Sequence, residues 1–139
     1  MEKKIIIGVV DGQGGGIGSL IVERLRSQCP NAEIIALGTN GFATNKMLRS
    51  GAHQGASGEN ALIFNVNKLD VIMGVVAILM PNSMMGELSP RMAEAIGSSG
   101  ALKILIPLDK CKIKIVGIED LSIQEYINQS INELKKLVE

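Results

Sequence analysis

The feature that most constrains this chain is Asp11-Gly12-Gln13-Gly14-Gly15-Gly16-Ile17-Gly18, set directly behind the apolar run Ile5-Ile6-Ile7-Gly8-Val9-Val10. The run is short, continuous and β-branched, the pattern of a strand buried on both faces of a parallel sheet. Beyond the glycines, Ile17, Leu20, Ile21 and Leu25 recur at helical spacing, with Glu23, Arg24 and Arg26 elsewhere on the wheel. A strand-to-helix turn is therefore predicted here, and backbone N–H groups at such a helix start can face an anion.

The spacing G-x-G-x-x-G fails, because it requires a glycine where Ile17 stands. The spacing G-x-x-x-G-x-G fits through Gly12, Gly16 and Gly18. That pattern resembles the cofactor turn of short-chain dehydrogenases and reductases, with Asp11 where they usually carry Thr. The resemblance implies a dinucleotide cradle formed by Gly12, Gln13, Gly14, Gly15, Gly16, Ile17 and Gly18, with NAD(P) as the cofactor. Two alternatives stay open: another anionic ligand, or a turn that serves tight packing alone. A carboxylate at Asp11 opposes a phosphate unless a donor or a metal intervenes.

A chain of 139 residues is expected to be one Rossmann-like nucleotide-binding domain over 1–139. With one Tyr, two Phe and no Trp, its core must be aliphatic and rich in methionine. Fourteen basic residues balance fourteen acidic ones, so no basic field draws in nucleic acid, and stacking platforms are scarce. No small-residue cleavage pattern follows Met1, and the longest apolar stretch, Val71 to Met80, is too short for a membrane span. Neither nucleic acid nor a membrane is an expected partner, and a cytoplasmic location is. Cys29 and Cys111 make no C-x-x-C pair and read as free thiols, Cys29 inert beside Pro30 and Cys111 in a turn. His53, the one histidine, has no His or Cys at ligand spacing, so no metal site is expected.

Along the chain, the first helix is predicted to end near Gln28, ahead of Pro30. Glu33 to Leu37 reads as the second strand, and its tip Gly38-Thr39-Asn40-Gly41 lacks the carboxylate that usually accepts from the adenosine ribose. Thr39 and Asn40 are thus candidate cofactor contacts, aided by Lys46 or Arg49, and NADP(H) is expected to bind at least as well as NAD(H). The competing role of Thr39 or Asn40 is to cap the next helix, Ala43 to Ser50. A brief third strand is expected near Ala52. Ala61 to Leu69 has the content of a strand but the Leu62, Val66 and Leu69 spacing of a helix capped by Ser57, and helix is favoured, with Glu59 and Asn60 at its start. Asp70 to Gly74 is the fourth strand, and Pro81 breaks the segment behind it. Ser89-Pro90 opens a helix to Ile96, and Leu102 to Leu108 is the fifth strand. The four residues Asp109-Lys110-Cys111-Lys112 are too few for a crossover, so Ile113 to Ile118 is predicted as the return strand of an edge hairpin. Ser122 starts a final helix with Ile123, Ile127, Ile131, Leu134 and Val138 in one stripe. The fold class is accordingly α/β: a Rossmann-like three-layer sandwich, mostly parallel, with a C-terminal edge hairpin.

The segments GVVDGQGGGIG, ALGTN, SGEN, NSMMGE before Ser-Pro, and KILIPL together resemble a family of short uncharacterised bacterial proteins, a domain of unknown function. The resemblance spans nearly the whole chain and implies a layout similar to Rossmann-type NAD(P)-binding domains. It directs attention to Gly12 to Gly18, Thr39, Asn40, Glu59, Asn60, Asn82 and Glu87.

Enzyme chemistry is not legible. Tyr126 is followed by Ser130 where a reductase Tyr-x-x-x-Lys pair needs its lysine, and no Ser-His-Asp set stands out. The leading expectation is a cytoplasmic binder of NAD(P) or a related nucleotide, acting as a sensor or accessory subunit. The alternative is an enzyme on a small phosphorylated or carboxylated metabolite, with Glu59 or Glu87 as acid/base. A third reading is an assembly protein that keeps the glycine loop without a ligand. A homodimer is expected, through the terminal helix stripe or the edge hairpin.

Overall fold

The computed structural model describes residues 4–108 and 112–138. The apolar run becomes β1 (Ile6–Asp11), followed by α1 (Gly16–Gln28), β2 (Glu33–Gly38), α2 (Gly41–Arg49) and β3 (Gln54–Ser57). The chain continues through α3 (Glu59–Val66), β4 (Val71–Val75), a 3₁₀ turn at Val76–Leu79, α4 (Pro90–Ser98), β5 (Leu102–Ile106) and α5 (Ile123–Val138). The five strands form one sheet in the order β3-β2-β1-β4-β5, and every pairing is parallel. This is the α/β class expected.

Parallel neighbours need crossovers, and right-handed crossovers fix which face each helix covers. Going outward from β1 to β3 puts α1 and α2 on one face; returning to β4 and β5 puts α3 and α4 on the other. The helix contacts agree: α1 meets α2 and α5, and α3 meets α4. The central strands are closed to water from both sides, which is why Ile7, Val9, Ile34, Ala36, Ile72 and Met73 all have zero exposure.

One feature of the expected fold is corrected. Among the described residues no edge hairpin forms: β5 ends at Ile106, and 112–122 runs on to α5 without any strand. Ile115, Val116 and Ile118 are exposed, so the apolar content that suggested a strand has no sheet neighbour. The turn at Asp109 to Cys111, with its second thiol, lies outside the described residues. In the terminal helix, Ile127, Ile131 and Leu134 are buried in the protein's own core, where α5 packs on β5 and α1. These three residues of the stripe therefore cover the sheet, while Ile123 at the start of the helix is exposed.

Smaller adjustments follow from local hydrogen bonding. α3 begins two residues earlier than its apolar spacing suggests, with Gly58 as its N-cap and no side-chain cap. Ser57 instead donates to the Thr44 hydroxyl at 2.7 Å. The segment with Pro81 makes only the short 3₁₀ turn before it breaks, as proline requires. α4 has the expected Ser89 cap, its hydroxyl accepting from the Met92 N–H at 3.2 Å, with Pro90 in the first turn.

Candidate functional site

In an open parallel sheet the crevice lies at the carboxyl ends of the strands, where the strand order reverses. Here the reversal falls between β1 and β4. Three segments converge there: the glycine turn after β1, the Thr39-Asn40 tip after β2, and the 80–89 loop after β4.

The glycine turn is held by a carboxylate of its own. Asp11, only 8% exposed at the end of β1, accepts from the Gly12 N–H at 2.8 Å and the Gly18 N–H at 2.6 Å. Asp11 thus satisfies one donor of the first turn of α1 and ties helix to strand, the favourable sign of charge for a helix N-terminus. Gly15 closes the turn in the left-handed region at φ 71°, its N–H donating to the Gly12 carbonyl at 2.9 Å. A β-carbon there would lie 2.9 Å from the Ala43 α-carbon, so both conformation and space demand glycine. Gly14 and Gly16 differ: both are exposed, and a β-carbon on either would meet nothing within 4 Å. The turn is packed on its inner side and open on its outer side.

The tip of β2 carries the main surprise. The Glu87 carboxylate, from the loop after β4, accepts at Oε1 from the Thr39 hydroxyl (2.7 Å), the Asn40 amide (2.8 Å) and the Gln13 N–H (2.8 Å). The Thr39 hydroxyl first, then the Gln13 N–H, hold its carboxyl below the ordinary value, with the Asn40 amide adding to them against partial burial. A carboxylate therefore stands at the β2 tip, supplied from the loop after β4 rather than from β2 itself. Asn40 also caps α2, its Oδ1 accepting from the Ala43 N–H at 2.8 Å, and its amide reaches the Gln13 carbonyl at 3.1 Å. The capping role considered for this residue is thus present, and its amide adds hydrogen bonds to Glu87 and to the Gln13 carbonyl.

The loop that delivers Glu87 is firmly anchored and locally strained. Leu88 is fully buried, Ser89 caps α4, and the Asn82 N–H closes on the Leu88 carbonyl at 2.8 Å. Between these anchors Asn82, Met84 and Met85 have φ of 66°, 58° and 58°. Left-handed backbone at non-glycine residues is costly and tends to collect at functional sites. Met84 lies against Gly12, where a β-carbon would sit 2.6 Å from its sulfur; sequence reasoning gave this residue no role, and only its place behind Pro81 hinted at a loop.

Of the other candidates, only Asn82 lies in a segment of this cluster, the loop that delivers Glu87. Glu59, at the start of α3, accepts from the Ser89 hydroxyl (2.5 Å) and Arg91 (3.1 Å), linking the starts of α3 and α4. Asn60 and Asn82 are exposed. Lys46 and Arg49 occupy the last turn of α2, about 9 Å or more along the helix from the Asn40 cap at 1.5 Å per residue. His53 is engaged structurally, its Nδ1 accepting from the Ile34 N–H at 3.0 Å. Among the described residues, no group of three or more His, Cys, Asp or Glu could hold a metal ion. No helix among them is long and apolar enough to cross a membrane. Cys29 caps the end of α1 as a free thiol, its pKa raised by burial against the pull of Lys135.

With this geometry in place, a family model described as a domain of unknown function (DUF3842) matches residues 6–139. The chain belongs to the DUF3842 family. Among solved structures, this DUF3842 chain is similar to a universal stress protein in complex with cAMP. The identity is 18%, the match covers 72% of this chain and 95% of that one, and the TM-score is 0.42. No curated protein matches the chain.

Proposed function

We propose that this protein binds a nucleotide, NAD(P) or a relative, with phosphate against the outer side of the glycine turn at Gly14, Gly16 and Ile17. The observation that carries the reading is the open face at Gly14 and Gly16, at the start of α1 and at the switch point of the sheet. Backbone can approach a phosphate closely there, and the helix dipole favours it. The inner face of the turn serves packing through Asp11, so Gly12, Gly15 and Gly18 are structural in this reading. Gln13, Thr39 and Asn40 take part through Glu87.

The acid/base alternative is less well supported. A general acid or base works best with a pKa near the operating pH, whereas the Glu87 carboxyl is held down by its donors. Glu59 is tied to Ser89 and Arg91. A binding role, as a sensor or accessory subunit in the cytoplasm, fits these groups better than proton transfer.

Native mass spectrometry of the protein purified without added nucleotide tests the proposal. A retained mass of nucleotide size supports it. Apo protein alone, with no adduct formed after millimolar ADP, NADH or NADPH is added, contradicts it.

A further inference from the structure

We infer that Glu87 is the acceptor for the ribose hydroxyls of the bound nucleotide, so that the site takes an unsubstituted ribose and rejects one carrying a 2′-phosphate. This rests on the nucleotide reading of the glycine turn and adds the identity of the ligand class to it.

A carboxylate has two oxygens and about four lone-pair positions. Three donors converge on Oε1 of Glu87: the Gln13 N–H, the Thr39 hydroxyl and the Asn40 amide. They fix the group in place, and Oε2 takes no hydrogen bond among the described residues. The donors come from both neighbouring strand ends, β1 and β2, and the backbone on either side of Glu87 is pinned by buried Leu88 and by the Ser89 cap. Such a group is positioned rather than merely solvated.

Its place gives it a task. Gln13 directly precedes Gly14, the first of the two open glycines, so a phosphate at Gly14 and Gly16 lies close to the residue whose N–H holds the carboxylate. A sugar attached to that phosphate then reaches the β2 tip, where ribose hydroxyls are commonly read by an acidic side chain. A diol donates hydrogen bonds, and the free carboxylate oxygen accepts them. A 2′-phosphate offers no such donor when ionised and adds like charge beside an anion. A site for it needs a cation, yet Lys46 and Arg49 sit in the last turn of α2.

The test is calorimetric titration of the full chain with NADH and NADPH, repeated on Glu87→Gln. The expected result is NADH at least tenfold tighter than NADPH in the unmodified protein, with the ratio falling within threefold in Glu87→Gln. The unmodified protein alone decides the point if the variant folds poorly. Equal affinities, or a preference for NADPH, overturn the ribose assignment while leaving nucleotide binding intact. A Glu87→Gln variant that binds both more tightly by the same factor also overturns it, because the carboxylate then fills the site. Failure of both nucleotides to bind removes the phosphate reading and this inference with it, whereas binding of NADH with no detectable binding of NADPH supports it.

Discussion

The Thr39 hydroxyl lies 2.7 Å from Oε1 of Glu87, although 48 residues separate them in the chain. Thr39 directly follows β2 and Glu87 lies in the loop after β4, so only the crossover back over β1 brings them together. Their hydrogen bond is a property of the topology, and it gives the site its fixed negative group.

Removing that donor should be measurable and pH-dependent. Thr39→Val keeps the shape and is expected to cost about 1 kcal/mol at neutral pH, modest for a bond to a charged group because both side chains are partly exposed. Glu87 has its carboxyl held below the ordinary value in the fold, so as pH falls the unfolded chain takes up the proton first. The stabilisation is therefore full above the ordinary carboxylate range and is lost as pH falls through the folded-state value. Urea denaturation at neutral and acid pH should show the Thr39→Val deficit shrinking towards zero in acid.

The glycines should divide into two classes. Gly15→Ala forces a side chain into left-handed backbone, about 1–2 kcal/mol, and drives a β-carbon against Ala43. Gly16→Ala meets open space in the first turn of α1 and should leave stability unchanged within about 0.5 kcal/mol, or raise it slightly. Thermal melts of the two variants side by side decide this.

Asp11→Asn tests the inner carboxylate. The amide offers one acceptor oxygen where two N–H groups, of Gly12 and Gly18, now find one each. Leaving one of them unpaired in a buried place should cost about 1–3 kcal/mol. Chemical denaturation of the variant gives the value.

Ile131 separates core from interface. It is a residue of α5 and only 3% exposed, and Ile131→Ala should cost about 2–5 kcal/mol as a core truncation, with no change of mass by light scattering. The sheet edge is the other surface for a homodimer. β5 ends the sheet, no strand among the described residues pairs with its outer edge, and Leu102 is exposed there. Light scattering over a concentration range gives a doubled mass if two copies join at that edge, and a constant monomer mass removes the dimer.

Much of the fold was legible because its signals are local. The run before Asp11 sets β1, Asn40 and Ser89 announce their helices, and Pro81 stops another. The stripe of α5 was equally plain, but the same spacing serves a dimer face and a covering helix; only the packing on β5 and α1 chooses. Ile113 to Ile118 misled because apolar content marks a strand only where a neighbour offers backbone partners. At the site, Gly14 and Gly16 were visible as glycines but not as the open ones, since that depends on what lies opposite. Glu87 was singled out, yet its partnership with Thr39 was out of reach: sequence reading searched the β2 tip for a carboxylate within β2 itself.

The central claim is that the outer side of the glycine turn binds phosphate. Gly16→Val tests it most directly, because a β-carbon there meets nothing within 4 Å and the side chain stands where the phosphate would lie. In parallel titrations with NADH, the unmodified protein should bind and Gly16→Val should lose at least tenfold in affinity, about 1.4 kcal/mol, while melting at the same temperature. Equal affinity for the two proteins would contradict the account.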